Sequence, residues 1–389
     1  MRRMRRSDDR ILTTHAGSLP RPKALVDLFA RASRGEAVDA AALTAQVTAA
    51  TEHVVRQQLA CGIDVGNDGE QARESFFTYV RTRMSGFGGR SERPLMRDLA
   101  RFPTVVERML VELGRPHVSL LAAPQAIGEV RHLDAAPLAR ELDGFAAALA
   151  TRDRAFAETF WTAPSPGIVA CAMQNAHYPS LDAYVAAVAD ALRPEYEAIV
   201  ARGHVLQIDA PDLAMERHTL FADRPLDDFL TFVDHTIAAL NHALAGIPPD
   251  RVRLHVCWGN YEGPHTDDVD LAPLLPHLGR ARVGGLVLSM ANPRHAHEHR
   301  VLAAEGLPNG WVLVAGVIDT TTNYVEHPEV VADRLERAAH AVGDPHRVLA
   351  GTDCGFDTSA GLGQVAEEVV WEKLRALRDG AALATGRLC

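Results

Sequence analysis

The chain has 389 residues, 47% of them apolar and 23% charged, enough to bury one large core or two medium ones. A net charge of -10 argues against a nucleic-acid face: phosphate binding needs clustered cations, and the basic cluster is confined to Arg2, Arg3, Arg5, Arg6 and Arg10, read as a solvated N-terminal tail over residues 1–10. No apolar run approaches the roughly 20 residues of a membrane span and no signal-like stretch opens the chain, so the expected location is the cytoplasm, without a membrane partner.

In chain order, short β-rich runs alternate with helical patterns, the signature of parallel βα units. The runs are Ile11–His15, Ile63–Asp68, Ile168–Met173, Val205–Ala210, Arg253–Cys257, Leu286–Met290, Leu313–Ile318 and Arg347–Thr352. Eight such runs predict an α/β fold of the (β/α)₈ TIM-barrel type. Leu181–Arg202, Leu226–Ala245, Pro328–Val342 and Val365–Arg378 carry apolar residues at helical spacing and are the expected outer helices. The regular alternation breaks at about 78–166, which reads as a helical insertion between strands two and three of a single barrel over 11–389.

Parallel barrels place reactive groups at the C-terminal ends of their strands. The polar residues at the run ends are His15, Asp68 with Glu70, Gln174, Asp209, His255 with Cys257, Ser289, Asp319, and Asp353 with Cys354. Residues two apart on a strand share a face, so His255 and Cys257 point together, and Cys354 closes the eighth run. One imidazole and two thiolates suit a borderline-soft ion, zinc first; read alone, the same residues are equally a buried histidine and two apolar fillers. Five widely spaced cysteines make no disulfide framework.

Other residues carry double readings. Asp209 fits a site, whereas Asp212 fits a helix cap. Arg294 is a candidate for an anionic substrate group, while His295, His297 and His299, with His295 and His299 at i, i+4, invite a second metal site but read more simply as a solvated helix start. Lys23 and Lys373 are the only lysines, and Lys373 lies in a helical pattern, so Schiff-base chemistry is unexpected. Neither nucleotide-binding glycine motif is present.

Joined in order, Thr13-Thr-His-Ala-Gly-Ser-Leu-Pro-Arg-Pro22, Asp68-Gly-Glu70, Gln207-Ile-Asp209, His255-Val-Cys257 and Asp353-Cys-Gly355 resemble the cobalamin-independent methionine synthase family of the uroporphyrinogen decarboxylase/methionine synthase-like barrels, over residues 11 to about 360. The resemblance implies one catalytic barrel with Zn²⁺ held by His255, Cys257 and Cys354. It also implies a small-molecule thiol as methyl acceptor and methyltetrahydrofolate as donor. Asp209 then corresponds to the carboxylate that holds the substrate ammonium. His15, Ser18, Glu70, Ser289 and Arg294 are further substrate-binding candidates, and Asp209 and Asp319 are the catalytic ones.

Two positions depart from the family pattern. Ser289 stands where the family's fourth ligand, a Glu, is expected, leaving an open position or a ligand borrowed from Glu262, Glu70 or Asp209. Thr321 stands where the family has a proton-donating His, and a hydroxyl is no general acid at neutral pH. Epoxyalkane:coenzyme M transferases share the His-x-Cys and the distant Cys; that alternative needs cations for a sulfonate, with Arg21 and Arg294 the candidates. A barrel that binds metal or ligand without catalysis is the third reading.

Overall fold

The computed structural model describes residues 3–112, 114–121 and 123–389; Arg2 of the basic cluster lies outside them. The described strands are β1 (Val65–Gly66), β2 (Phe87–Gly88), β3 (Gln125–Ala126), β4 (Glu158–Pro164), β5 (Val205–Asp209), β6 (Val252–Val256), β7 (Gly285–Ser289), β8 (Val312–Ile318) and β9 (Val348–Thr352). Seven form one curled parallel sheet in the order β1-β4-β5-β6-β7-β8-β9. The fold is therefore mixed α/β and TIM-barrel-like.

Two of the eight expected strands differ. Residues 168–173 are not extended: Pro166–Ala172 is a helix, and the strand before it is β4. A fully apolar run suits a buried strand or a buried helix equally, and here the start signal decides. Ser165 accepts a hydrogen bond from the Ile168 backbone N–H, and Pro166 at the first helical position has no N–H to strand. The Ile11–His15 run forms no strand of its own. Thr13 bridges Ala350 of β9 and Thr14 bridges Val65 of β1, so this segment touches both edges of the sheet.

Strands β5 to β9 are buried along their lengths, which explains runs such as Val312–Ile318. On one side they pack against the helices. On the other they enclose a small cluster that includes Val65, Phe160, Val205, Val287, Val314 and Leu349, with Met4 packed against it. The N-terminal segment is accordingly no free tail: Met4 and Ser7 are buried, Ser7 Oγ donates to the Val348 carbonyl, and Arg10 pairs with Asp64 at 2.5 Å.

Between β1 and β4 the chain forms helices at Arg97–Arg101, Pro103–Glu112 and Ala136–Ala150, and the antiparallel pair β2/β3. The last helix packs beside helix Ala40–Cys61, and its Phe145 meets Trp161 of β4 edge to face at 5.6 Å. This helix, inside the 78–166 stretch, thus packs against both a flanking helix and the sheet.

Candidate metal centre

Strand register builds the site in two layers. Gln207 pairs with Arg253 across β5 and β6, and two residues further on Asp209 pairs with His255. Because the strand period is two, both pairs point to the same face. In the lower layer the Arg253 guanidinium donates to Gln207 Oε1 at 2.9 Å and lies 3.9 Å from the centre of the Phe160 ring. Gln207 Nε2 then donates upward to Asp209 Oδ1 at 2.7 Å.

In the upper layer His255 Nδ1 donates to the same Asp209 oxygen at 2.8 Å. That bond fixes the tautomer and leaves Nε2 as the donor atom for an ion. Cys257 follows β6 directly, and Cys354 lies two residues beyond β9. One ligand atom from each of His255, Cys257 and Cys354 lies within 4.8 Å of the others, and all three residues are buried.

The electrostatics fit a cation. Burial works against the His255 imidazolium, but hydrogen bonds with Asp209 and Cys257 push its pKa up to about 10. The Cys354 hydrogen bond, followed by His255, pulls the Cys257 thiol well down, while the same sulfur contact drives Cys354 up. The group thus stabilises a thiolate facing a positive charge, which is the demand a divalent ion meets. Two soft sulfurs and a carboxylate-held imidazole match zinc best.

The three residues open into a cavity of about 890 Å³ that Ser18, Glu70, Asp209, Glu262 and Thr321 also line. That is within the range of small-molecule sites. Glu70 reaches it through a strained turn: Asn67 Oδ1 accepts from the Gly69 N–H, Asp68 Oδ1 from the Glu70 N–H, and φ at Glu70 is 58°. Its Oε1 accepts from Thr162 Oγ at 2.9 Å, but its buried Oε2 has no hydrogen-bond partner among the described residues. Burial, and next the Asp209 charge, push this carboxyl up to about 7. Gly17, with φ 130°, makes room for it: a Cβ there would lie 2.6 Å from Glu70 Oε1.

The remaining candidates fall elsewhere. His15 lies beneath the mouth, buried, with Nε2 2.9 Å from Gln58 Oε1, and burial pulls it down to about 4. Arg294 is exposed and lines neither cavity. Arg21 is fully engaged with Asp357 and the Arg73 and Glu70 carbonyls. Ser289 donates to the Asp353 carbonyl at 2.7 Å and, with Asp319, faces a separate space of about 20 Å³ that also touches Cys354. The Asp319 carboxylate accepts from the Thr321 and Thr322 hydroxyls. Asp212 accepts from Ser165 Oγ and caps no helix with its side chain.

The sequence motifs include Gly17 and Gln207 without assigning them a role and do not reach Thr162; all three position Glu70 or Asp209. Gln207 carried a usable signal, being two residues before Asp209 on the same face. Thr162 did not, because its strand was set in the wrong place.

No protein-family model matches the chain. A curated methionine synthase of Sulfolobus acidocaldarius is 24% identical over 347 residues, covering 88% of this chain and 85% of that protein. A solved B12-independent methionine synthase from Shewanella sp. W3-18-1, in complex with selenomethionine, superposes with a TM-score of 0.72 at 21% identity, covering 97% of this chain and 98% of that one. In sequence and fold the chain is similar to methionine synthase-like barrels. A 2-hydroxypropyl-CoM lyase of Xanthobacter autotrophicus is 27% identical over 182 residues, covering 40% of this chain and 46% of the lyase. Over part of its length the chain is therefore also similar to a protein named for a different reaction.

Proposed function

We propose that this chain is a zinc-dependent transferase that alkylates the sulfur of an amino-acid thiol, with a methylated folate as first-choice methyl donor. The observation that carries the reading is the pairing of the His255, Cys257 and Cys354 donors with two carboxyl groups, Asp209 and the half-unpartnered Glu70, on one cavity. His255, Cys257 and Cys354 would hold the zinc, which when bound would supply Lewis acidity to lower a thiol from its ordinary pKa near 8.5.

The protein's own groups do the rest. Asp209 holds the His255 tautomer and, with Glu70 Oε2, offers two oxygens to a substrate ammonium. A charged hydrogen bond there fixes the distance between amine and sulfur, so it selects for a thiol bearing an amine. Thr321 on the wall offers a hydroxyl where a general acid is needed, so proton delivery to the leaving group is the weak step and a modest turnover is expected.

The 2-hydroxypropyl-CoM lyase relative supports epoxide or thioether chemistry as the second reading. A sulfonate thiol requires cations near the sulfur site. The sequence candidates do not supply them, since Arg21 is engaged and Arg294 is outside the cavity. Arg93 on the wall is paired with Glu216, and Arg115 is exposed there.

The test is metal analysis together with product formation from two pairs: homocysteine with methyltetrahydrofolate, and coenzyme M with epoxypropane. The first reading predicts stoichiometric zinc and S-methylation of homocysteine. Turnover of the epoxide pair alone would move the assignment to the second, and bound zinc without turnover of either pair would leave a binding protein.

A further inference from the structure

Beside the cavity, on the same end of the sheet, lies a second cluster that the transferase reading does not use. Asp268, in the loop after β6, places Oδ2 2.8 Å from His265 Nδ1 and 2.7 Å from His295 Nε2. His218, from the turn after β5, brings Nδ1 to 2.8 Å of Asp268 Oδ1. The side chains are sealed: His218 is 0% exposed, Asp268 1%, His265 4% and His295 5%. The expected solvated helix start at residues 292–299 is therefore corrected at its centre, because His295 and Glu298 are buried while His297 is exposed.

Hydrogen bonding within the protein leaves this cluster unfinished. His218 Nε2 and Glu298 Oε2 are buried without a hydrogen-bond partner among the described residues, while His218 Nδ1 and His295 Nδ1 have only ion-pair contacts, with Asp268 Oδ1 at 2.8 Å and Glu298 Oε1 at 3.6 Å. Native interiors tolerate few such atoms, and a group of them calls for an ion or another ligand.

The outer nitrogens are arranged as metal-bound histidines arrange theirs. His265 Nε2 donates to the Tyr261 carbonyl at 3.1 Å, and His295 Nδ1 faces Glu298 Oε1 at 3.6 Å. With those outer positions protonated, the inner nitrogens face Asp268 as lone pairs, or else as imidazolium protons competing for one carboxylate oxygen. Outer-sphere acceptors of this kind orient a ligating imidazole.

One ligand atom each from His265, Asp268 and His295 falls within 4.8 Å of the others. Trp258 stacks on His295 at 3.7 Å and Tyr261 on His265 at 4.2 Å. Backbone strain is accepted to keep the ring there, since φ at His265 is 51°, and Asp98 from helix Arg97–Arg101 accepts from both the His265 N–H and the Tyr261 hydroxyl.

We propose that His265, Asp268 and His295 form a second, sulfur-free site for a divalent transition ion, zinc or a close relative, adjoined by His218. Nitrogen and carboxylate donors in a closed setting describe a structural site. Its ion ties the loops after β6 and β7 together beside the substrate cavity.

The test uses the full chain and a Cys257→Ser/Cys354→Ser variant, which lacks the sulfur ligands. Expected are two zinc equivalents in the wild type and one in the variant. Cobalt in the variant should give d–d absorption without sulfur charge transfer, and zinc should raise its thermal midpoint. Adding Asp268→Asn or His295→Gln should remove the remaining equivalent, whereas His297→Ala, at an exposed neighbouring ring, should leave it. A folded Cys variant that binds neither zinc nor cobalt overturns the proposal, as does loss of the equivalent with His297→Ala. If the Asp268 and His295 variants do not fold, the cobalt spectrum and the zinc-dependent midpoint of the Cys variant decide alone.

Discussion

The loop that leaves β6 feeds two clusters of opposite character: Cys257, its first residue, joins a set that opens on a cavity of about 890 Å³, while His265 and Asp268 join one sealed beneath Trp258 and Tyr261. In the open cluster the strand register aligns Asp209 with His255, so its geometry is inherited from the sheet. The sealed cluster has no strand behind it and depends on a left-handed His265 and on Asp98 arriving from a distant helix. A site carried by strands can leave a ligand position exposed and remain in place. A site carried by loops must close on itself, because its ligands also hold the loops together.

The strongest way to break this contrast is to remove a sulfur. Cys354→Ala should abolish metal binding at the open site and lower turnover by roughly 10³-fold or more, since Lewis-acid stabilisation contributes several kcal/mol. Stability should change little, because the Cys354 side chain is held by the other ligands rather than holding a loop. Metal content, turnover and a urea melt on one preparation check this. A large loss of stability would show that the open site is also structural.

The complementary change is Asp268→Ala. It leaves three buried imidazoles without their shared carboxylate, and breaking such a group costs about 3 kcal/mol. The expected result is a lower urea midpoint with partial activity retained, the reverse of the Cys354 outcome. Asp209→Asn should be smaller again: the amide keeps the shape but loses the charge that orients His255, so zinc affinity at the open site should fall by roughly 10- to 100-fold. Competition with a chelator measures it, and unchanged affinity would remove Asp209 from its supporting role.

These contrasts track what could be read in the chain. His255-Val-Cys257 was legible because a period of two and a strand end suffice to aim two side chains together. Asp209 was legible for the same reason. His15 was read as a mouth residue by the strand-end rule, but its run forms only single bridges, and the ring sits one layer too low. At Ile168–Met173 the apolar run is ambiguous between strand and helix, and Ser165-Pro166, a local helix-start signal, outweighs it. Arg294 and His295 exchanged roles for a reason no local pattern contains: which ring turns inward is set by Asp268 and Trp258, and their position follows from the loop's path. The sealed cluster was invisible as a whole because its members are read from three separate loops.

Glu70 offers the finest test, because its stability and binding effects have opposite signs. Its carboxyl, pushed up to about 7 by burial and then by Asp209, has a folded pKa above the unfolded one. Its contribution to stability is therefore complete below the unfolded value and is lost as pH rises through about 7. The ammonium of an amino-acid thiol needs the ionised form, so binding should gain over the window in which stability declines. Glu70→Gln removes both slopes. At pH 8 it should raise KM for the thiol about tenfold, the worth of one charge-assisted hydrogen bond, and raise unfolding stability by roughly 1 kcal/mol. Steady-state kinetics and thermal melts at pH 5.5 and 8 check the two together. A variant with unchanged KM at pH 8 would sink the amine-binding role, whereas a raised KM with unchanged stability would mean that solvent or a neighbouring cation already relieves the buried charge. With KM unchanged, the open cluster would owe its selectivity for the amine to Asp209 alone.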